Sequence, residues 1–229
     1  MNTQSDHVFQ ALLFDLEGTL VDFQWKLSGA ARDAKNELRR LKFDPSSWED
    51  NYAALRNNAV RLAAQRGLDK REVLNRIDAI YDRYDQDAAS RWSVLPEVKS
   101  VLPRLKREQQ IKLGLVSNIG RRAIAEALPR LGLADLFDVI ITRNHVEMLK
   151  PSGAGIRIAL EKLGVTNSDA LFVGDSVTDV LAAKDAGVKV AIVQGGESAP
   201  TSLRAANPTY LWRTIEELET LRIGGEHVA

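Results

Sequence analysis

Residues 11–20 of the chain read Ala11-Leu12-Leu13-Phe14-Asp15-Leu16-Glu17-Gly18-Thr19-Leu20. An apolar run of strand length ends in two acids, Asp15 and Glu17, and then a glycine. Residues two apart in an extended chain share a face, so both carboxyls can reach one site, and Gly18 lets the backbone turn away. Open α/β sheets place their chemistry at such strand ends. We therefore predict that Asp15 is a nucleophile and Glu17 its proton shuttle.

The composition predicts a globular protein without a general affinity for polyanions. The chain has 229 residues, of which 45% are hydrophobic, enough for one core or a core with a smaller insertion. Lys and Arg together number 31, as do Asp and Glu. This balance argues against nucleic-acid and membrane partners. With no cysteine, disulfides and thiol catalysis are excluded.

The N-terminal residues are polar, and no apolar run is long enough to span a bilayer. We expect a cytoplasmic protein that is a monomer or a homodimer.

Residues 22–93 have a helical pattern with no strand signal. Apolar residues recur at three- and four-residue steps in three successive stripes. The stripes are Leu27, Ala30, Ala34, Leu38 and Leu41, then Trp48, Tyr52, Leu55, Ala59 and Leu62, and finally Val73, Ile77, Ile80, Tyr84 and Ala88. We predict three amphipathic helices that form a helical cap, inserted into a core made of residues 1–21 and 94–229.

From residue 95 onward, strands and helices alternate, which predicts an α/β fold: a Rossmann-like, doubly wound parallel sheet with helices on both faces. The predicted strands are Ile111–Val116, Phe137–Thr142, Ala170–Val173 and Val188–Val193. The predicted helices are 97–109, 121–131, 153–163 and 178–186, and a short strand and a last helix, Thr214–Leu221, follow Pro208.

Polar groups follow four of the predicted strands. The second strand ends in Ser117 and Asn118, a lysine and a proline (Lys150-Pro151) follow the third, and the fourth leads into Gly174-Asp175-Ser176-Val177-Thr178-Asp179. Carboxylates, a hydroxyl, a lysine and helix N-termini at one edge suit a phosphoryl group held with Mg²⁺, which prefers oxygen ligands.

These four motifs, in this order, resemble the haloacid dehalogenase-like hydrolase superfamily, in particular its phosphatase branch with a helical cap. The likeness covers nearly the whole chain. It implies a Mg²⁺-dependent phosphomonoesterase that acts on a small phosphorylated metabolite through an aspartyl-phosphate intermediate. The cap would act as a lid over the site.

The resemblance also implies a role for each site residue. Asp15 would attack phosphorus, and Glu17 would protonate the leaving alcohol and then activate water. Ser117, Asn118 and Lys150 would hold the phosphate. The metal ligands would be Asp15, the backbone carbonyl of Glu17, and Asp175. Thr19 would stabilise the turn and orient the acid. Asp179 would order either the water shell of the metal or Lys150.

Position 17 departs from the family pattern, because most phosphatases of the family have a second aspartate there. Glutamate is still a competent acid or base, and the enolase-phosphatase members also carry Asp-x-Glu-Gly-Thr. The alternatives are an intramolecular sugar phosphomutase, a phospho-accepting signalling domain, and a non-catalytic interaction protein if Glu17 does not support turnover.

Several other polar or aromatic residues have an ordinary interpretation. We expect His145 to be a packed or surface residue. Arg121 and Arg122 are expected in a solvated first helical turn, and the cap arginines Arg56, Arg61 and Arg66 in solvent. Trp25 either closes over the substrate or packs the cap.

Overall fold

A computed structural model describes residues 8–108 and 111–224 of the chain. Its centre is one six-stranded sheet, parallel throughout, in the order β3-β2-β1-β4-β5-β6. The strands are β1 Ala11–Phe14, β2 Lys112–Val116, β3 Val139–Ile141, β4 Ala170–Gly174, β5 Lys189–Val193 and β6 Tyr210–Trp212. This α/β architecture confirms the predicted fold class.

The first strand lies at the middle of this sheet because it is apolar on both faces. All four of its residues are buried. Leu13 pairs with Gly114 on one side and with Phe172 on the other. The strand order reverses direction between β1 and β4, and such a switch point opens a crevice beyond the strand ends. The residue that follows β1, Asp15, therefore stands at the mouth of this crevice.

Helices cover both faces of the sheet, as expected for parallel strands. They are α4 Val98–Glu108, α5 Arg121–Leu131, α6 Ala154–Leu163, α7 Val177–Ala186 and α8 Pro200–Ala206. The helices α6, α7 and α8 bury Ile156, Val180 and Leu203 in one apolar cluster. The other cluster includes Leu102 and Ile124 from α4 and α5.

Three helices connect β1 to α4, in the region where the apolar stripes predict them. They are α1 Leu27–Arg40, α2 Tyr52–Gln65 and α3 Lys70–Ala89. Each packs on the other two, with Leu38, Leu55 and Ile77 completely buried. Their apolar cluster continues into that of α4 and α5. The division of the chain into a cap of residues 22–93 and a core stays a prediction.

Arg56 contradicts the prediction that the cap arginines lie in solvent. Its side chain is 1% exposed. It donates from Nε to Oδ1 of Asp78 at 2.7 Å and from Nη1 to the carbonyl of Glu147 at 2.7 Å. The reason is that α2 packs on the loop that precedes Lys150, which a helical pattern alone does not reveal. Arg61 is exposed as predicted.

The C-terminal part differs from the prediction in two places. Helix α8, Pro200–Ala206, was not predicted, and the last helix is a 3₁₀ helix over Ile215–Thr220. Its two buried residues, Ile215 and Leu218, are three positions apart, which matches the three residues per turn of a 3₁₀ helix. The four predicted core strands agree with the structure within a few residues at each end.

None of the helices within residues 8–108 and 111–224 has both the length and the apolar composition that a membrane span requires.

Candidate active site

Three carboxylates from two neighbouring strand ends meet beyond the centre of the sheet. Asp15 follows β1, and Asp175 follows β4 at its side. Asp179 lies one turn into α7. One carboxylate oxygen of each lies within 4.8 Å of the other two. Oxygen atoms at this separation can share one hard cation.

Two glycines let the chain pass close to Asp175. Gly18 has a φ of +76°, and a Cβ there would collide with the Asp175 carboxyl. Gly196, after β5, has no room for a Cβ for the same reason. Glu197 donates its backbone N–H to Oδ2 of Asp175 at 2.5 Å, and Thr19 donates its hydroxyl to Oδ1 at 3.4 Å. These two donors hold the Asp175 carboxyl in place, and the role predicted for Thr19 stays a prediction.

The ammonium group of Lys150 connects two of these acids. Its Nζ lies 2.7 Å from Oδ1 of Asp15 and 2.6 Å from Oδ1 of Asp179. Burial alone would lower the pKa of Lys150, but these two carboxylates outweigh that effect and raise it. Asp179 also accepts from the hydroxyl of Ser176 at 2.7 Å, in a capping box at the start of α7. Asp179 thus contacts Lys150 and also caps the first turn of α7.

The acid cluster holds more negative charge than Lys150 can balance. Burial raises the pKa of Asp15 to about 6, although Lys150 acts in the opposite direction. Burial, together with the charges of Asp179 and Asp15, raises the pKa of Asp175 well above its usual range. A bound cation would favour the ionised forms of Asp15 and Asp175.

Glu17 points towards the two segments that join helices α1–α3 to the sheet. Its Oε1 accepts from the indole N–H of Trp92 at 2.6 Å and from the backbone N–H of Gln24 at 3.0 Å. Burial raises the pKa of Glu17 to about 7, while these two donors act to lower it. A carboxyl with a pKa near 7 can both donate and accept a proton at neutral pH.

Ser117 and Asn118 lie on the same edge of the sheet, at the end of β2. Both are buried and line the cavity in front of Asp15. The amide oxygen of Asn118 accepts from the backbone N–H of Lys150 at 3.0 Å, which ties the lysine loop to β2. The side-chain amide of Asn118 donates to the Tyr52 hydroxyl at 3.2 Å.

Helix α2 braces the loop that carries Lys150. Asn57 donates its side-chain amide to the carbonyl of Leu149 at 3.0 Å and accepts from the Leu149 N–H at 2.8 Å. The Lys150–Pro151 peptide bond that follows is cis. This two-way contact joins residues 92 positions apart in the chain. Nothing in the local pattern around Asn57 predicts it.

A second buried contact between α3 and the sheet centres on Arg143. Its guanidinium is fully buried and pairs with Asp78 at 3.2 Å, with Asp85 at 2.8 Å and with Asp82. Asp85 also accepts from the indole N–H of Trp25 at 2.8 Å. Trp25 is buried and its ring lies 4.4 Å from that of Tyr52, so it packs the cap instead of lining the cavity.

His145 and the two arginines of α5 have the ordinary roles expected of them. His145 forms a capping box with Thr142, and Arg121 and Arg122 are exposed.

The cavity in front of Asp15 is small, at about 30 Å³. That volume holds only about two water molecules. Phe23, Tyr52 and Ala53 close it from the cap side, and Glu197 lies at its edge.

Sequence reasoning missed Glu197, Trp92 and Asn57. Only Glu197 had a usable signal, since it follows β5 at the same edge of the sheet as the other strand-end acids. Burial, together with the charges of Asp179 and Asp15, raises the pKa of Glu197 to about 7. Its carboxyl therefore belongs to the same electrostatic group as the predicted acids.

These groups define the chemistry open to the site. A carboxylate is held beside an ammonium, and an acid with a raised pKa lies two residues further on. Neighbouring carboxylate oxygens are close enough together to bind one hard cation. Buried polar groups at the end of β2 line the same cavity as Asp15 and Lys150. This set suits transfer of a phosphoryl group to a carboxylate oxygen.

Comparison with known proteins agrees with this chemistry. The family model of the haloacid dehalogenase-like hydrolases matches residues 12–193. A phosphoglycolate phosphatase of Neisseria meningitidis is 32% identical over 227 residues, covering 95% of each chain. The plasmid-encoded phosphoglycolate phosphatase of Cupriavidus necator is 30% identical over 220 residues and 92% of each chain.

Solved structures share the fold at lower identity. A haloacid dehalogenase-like hydrolase of Streptococcus pneumoniae superposes with a TM-score of 0.60 at 19% identity, covering 93% of this chain and 97% of that one. CbbY of Rhodobacter sphaeroides, crystallised with phosphate, gives a TM-score of 0.58 at 22% identity, covering 92% and 96%.

Proposed function

Because the chain belongs to the haloacid dehalogenase-like hydrolase family, we propose that Asp15 is the nucleophile of its phosphatase reaction and that Mg²⁺ is its cofactor. The protein is a phosphoric monoester hydrolase for a small phosphorylated metabolite, in line with its phosphoglycolate phosphatase relatives. The observation that carries the assignment is the position of Asp15 between the ammonium of Lys150 and the carboxylate of Asp175.

Asp15 attacks the phosphorus atom with a carboxylate oxygen and takes over the phosphoryl group as the ester oxygen leaves. Lys150, 2.7 Å from Oδ1 of Asp15, favours the ionised, nucleophilic form of that carboxyl. Ser117 and Asn118 approach the phosphoryl oxygens from the end of β2. The same groups that hold the ground-state phosphate then face the negative charge of the transition state.

Glu17 supplies the proton that the leaving alcohol needs. The same carboxylate then takes a proton from the water that attacks the phosphorus of phospho-Asp15. That attack releases inorganic phosphate and restores the carboxylate of Asp15. The environment of Glu17 suits both steps, since the pKa of about 7 lets it exchange protons at neutral pH.

The acid cluster fits a magnesium ion. Its donors are all oxygen atoms, and the carboxylate oxygens of Asp15 and Asp175 are close enough to bind one cation. We assign Asp15, Asp175 and the backbone carbonyl of Glu17 as ligands, with Asp179 holding Lys150. A bound Mg²⁺ would offset the negative charge of the phosphoryl oxygens.

Helices α1–α3 close the cavity over Asp15, and we assign them the role of a lid. Segments 20–24 and 91–95 are its proposed hinges. A closed lid keeps bulk water from the phosphoryl group during transfer. A cytoplasmic location, a monomer or homodimer, and the lack of a nucleic-acid partner stay predictions of the sequence.

Release of inorganic phosphate tests the assignment. Wild type, Asp15→Asn and the exposed control Asp135→Asn are assayed on a panel of phosphate monoesters, with Mg²⁺ and with EDTA. We expect release by wild type and by the control only with Mg²⁺, and none by Asp15→Asn. Activity that survives in Asp15→Asn would remove Asp15 as the nucleophile. Isomerised sugar phosphate without free phosphate would instead identify a phosphomutase.

A further inference from the structure

The part of the cavity lining that the proposed reaction does not use combines apolar side chains with two hydroxyl residues, Ser176 and Thr178, and one acid. Phe23 and Tyr52 contribute aromatic rings, Ile119 an aliphatic side chain, and Glu197 a carboxyl. The leaving alcohol of a substrate would occupy this part, because Asp15 and Lys150 take the phosphoryl end. The chemistry of these residues therefore decides which alcohols fit.

In the part of the chain that the structure describes, the cavity lining offers no basic side chain that is free to pair with an anionic leaving alcohol. Among the residues that the structure describes, Lys150 is the one basic side chain lining the cavity, and Asp15 and Asp179 already hold it. A carboxylate on the substrate would therefore find no positive partner. It would also have to share the cavity with Glu197.

The nearby arginines cannot supply the missing charge. The guanidinium of Arg143 is fully buried and pairs with Asp78 and Asp85. Arg56 is 1% exposed, and Asp78 and the carbonyl of Glu147 hold it. Turning either guanidinium towards a substrate would break ion pairs that a buried guanidinium makes, which is strongly unfavourable.

The overall charge of the site also disfavours a negatively charged alcohol. Five carboxyls, those of Asp15, Glu17, Asp175, Asp179 and Glu197, share the region with the single ammonium of Lys150. A divalent cation would reduce this excess of negative charge. The aromatic faces of Phe23 and Tyr52 tolerate a neutral group and attract a positive one.

We propose that this enzyme selects phosphate esters whose alcohol carries no negative charge, and that Glu197 is the residue that disfavours anionic alcohols. The inference rests on the proposed function of the Asp15 site. It predicts a preference different from the ester named for the phosphoglycolate phosphatase relatives. Glu197 acts here on the choice of substrate and takes no part in bond making.

Three esters with the same two-carbon skeleton test the proposal: phosphoglycolate, 2-hydroxyethyl phosphate and O-phosphoethanolamine. Their alcohols end in a carboxylate, a hydroxyl and an ammonium group. Each is measured as a substrate and as a competitive inhibitor of p-nitrophenyl phosphate hydrolysis, so that binding is ranked even for an ester that turns over slowly. Wild type is compared with Glu197→Gln and with Glu161→Gln, which removes an exposed charge on α6.

For wild type and Glu161→Gln, we expect phosphoglycolate to bind at least about tenfold more weakly than 2-hydroxyethyl phosphate, a difference of about 1.4 kcal/mol. O-phosphoethanolamine should bind at least as well as the hydroxyl ester. In Glu197→Gln the difference in affinity between phosphoglycolate and 2-hydroxyethyl phosphate should become smaller, mainly because phosphoglycolate binds more tightly.

The inference would be overturned if wild type bound phosphoglycolate as tightly as 2-hydroxyethyl phosphate, or more tightly. It would also be overturned if the difference in affinity between these two esters were unchanged in Glu197→Gln. Either result would leave the proposed function intact if hydrolysis of p-nitrophenyl phosphate still depends on Asp15. The absence of any Asp15-dependent hydrolysis would overturn the proposed function, and the inference with it.

Discussion

The ammonium nitrogen of Lys150 lies 2.7 Å from Oδ1 of Asp15, directly beyond the carboxyl end of β1. Lys150 comes from a loop after β3, and Asp15 ends β1, so their contact depends on the sheet order. The pair positions a carboxylate and the cation that we propose binds phosphate at one cavity. It is the structural basis of the proposed reaction.

Lys150→Met should abolish most activity, because it removes the cation that faces both Asp15 and the phosphate. We expect kcat/KM to fall by about 10²- to 10³-fold, the usual effect of losing one transition-state donor. Lys162→Met, at an exposed position on α6, is the matched control. A folded Lys150→Met enzyme with near wild-type kcat/KM would exclude this role for Lys150.

Trp92→Phe should impair proton transfer by Glu17. The substitution removes the indole N–H that lies 2.6 Å from the Glu17 carboxyl and keeps an aromatic ring at a buried position. We expect kcat/KM for an alkyl phosphate to fall by on the order of tenfold, part of the full contribution of an acid catalyst. The kcat/KM for p-nitrophenyl phosphate, whose leaving group needs no proton, should change little.

The control for this variant is Trp48→Phe, at a half-buried position in the cap. Equal losses on both substrates would show that Trp92 acts only through the fold.

Asn57→Ala should loosen the lysine loop from α2. It leaves the buried N–H and C=O of Leu149 without their partners at 2.8 and 3.0 Å. We expect a loss of unfolding free energy of about 1–3 kcal/mol, the cost of unsatisfied buried polar groups, and a lower kcat. Asn58→Ala, one position along the same helix, should change neither quantity. Denaturant unfolding and phosphate-release assays on both variants provide the measurements.

The metal-free protein should lose stability as pH rises through the acid cluster. Asp15 has a pKa of about 6 in the fold against a usual 3.8, so the folded state keeps a proton that the unfolded chain releases. Its ionisation therefore opposes folding increasingly between about pH 4 and pH 6, by up to about 3 kcal/mol. The gain in melting temperature from Asp15→Asn should grow over this range.

Excess Mg²⁺ at pH 7 should raise the melting temperature of wild type by binding the folded state, and it should have little effect on Asp15→Asn. A Mg²⁺ effect of equal size in both proteins would place the ion elsewhere.

The positions of Asp15, Ser117, Lys150 and Asp175 could be predicted because parallel strands end at one edge of a sheet. A buried strand followed by a polar residue is visible in the sequence, and the sheet brings these ends together. The contacts of Arg56 and Asn57 could not be predicted in this way. Each joins a cap helix to a loop about 90 residues further along the chain, and only the docking of α2 on the sheet determines them.

The hydrogen bond between Trp92 and Glu17 could not be predicted from the sequence for a similar reason. Trp92 follows the last cap helix, 75 residues beyond Glu17, and its indole reaches the carboxyl only where the two connecting segments run side by side.

The central claim is that Asp15 carries the phosphoryl group between substrate and water. The most direct test is a brief reaction of Glu17→Gln with Mg²⁺ and p-nitrophenyl phosphate, whose leaving group needs no proton. The reaction is followed by an acid quench and by mass spectrometry of the peptide that contains Asp15. This variant should accumulate the intermediate because it lacks the base that activates water. The account predicts a phosphoryl group on Asp15 that is absent from Glu17→Gln combined with Asp15→Asn. Ester hydrolysis by Glu17→Gln without phosphorylated Asp15, or a phosphoryl group on another residue, would contradict it.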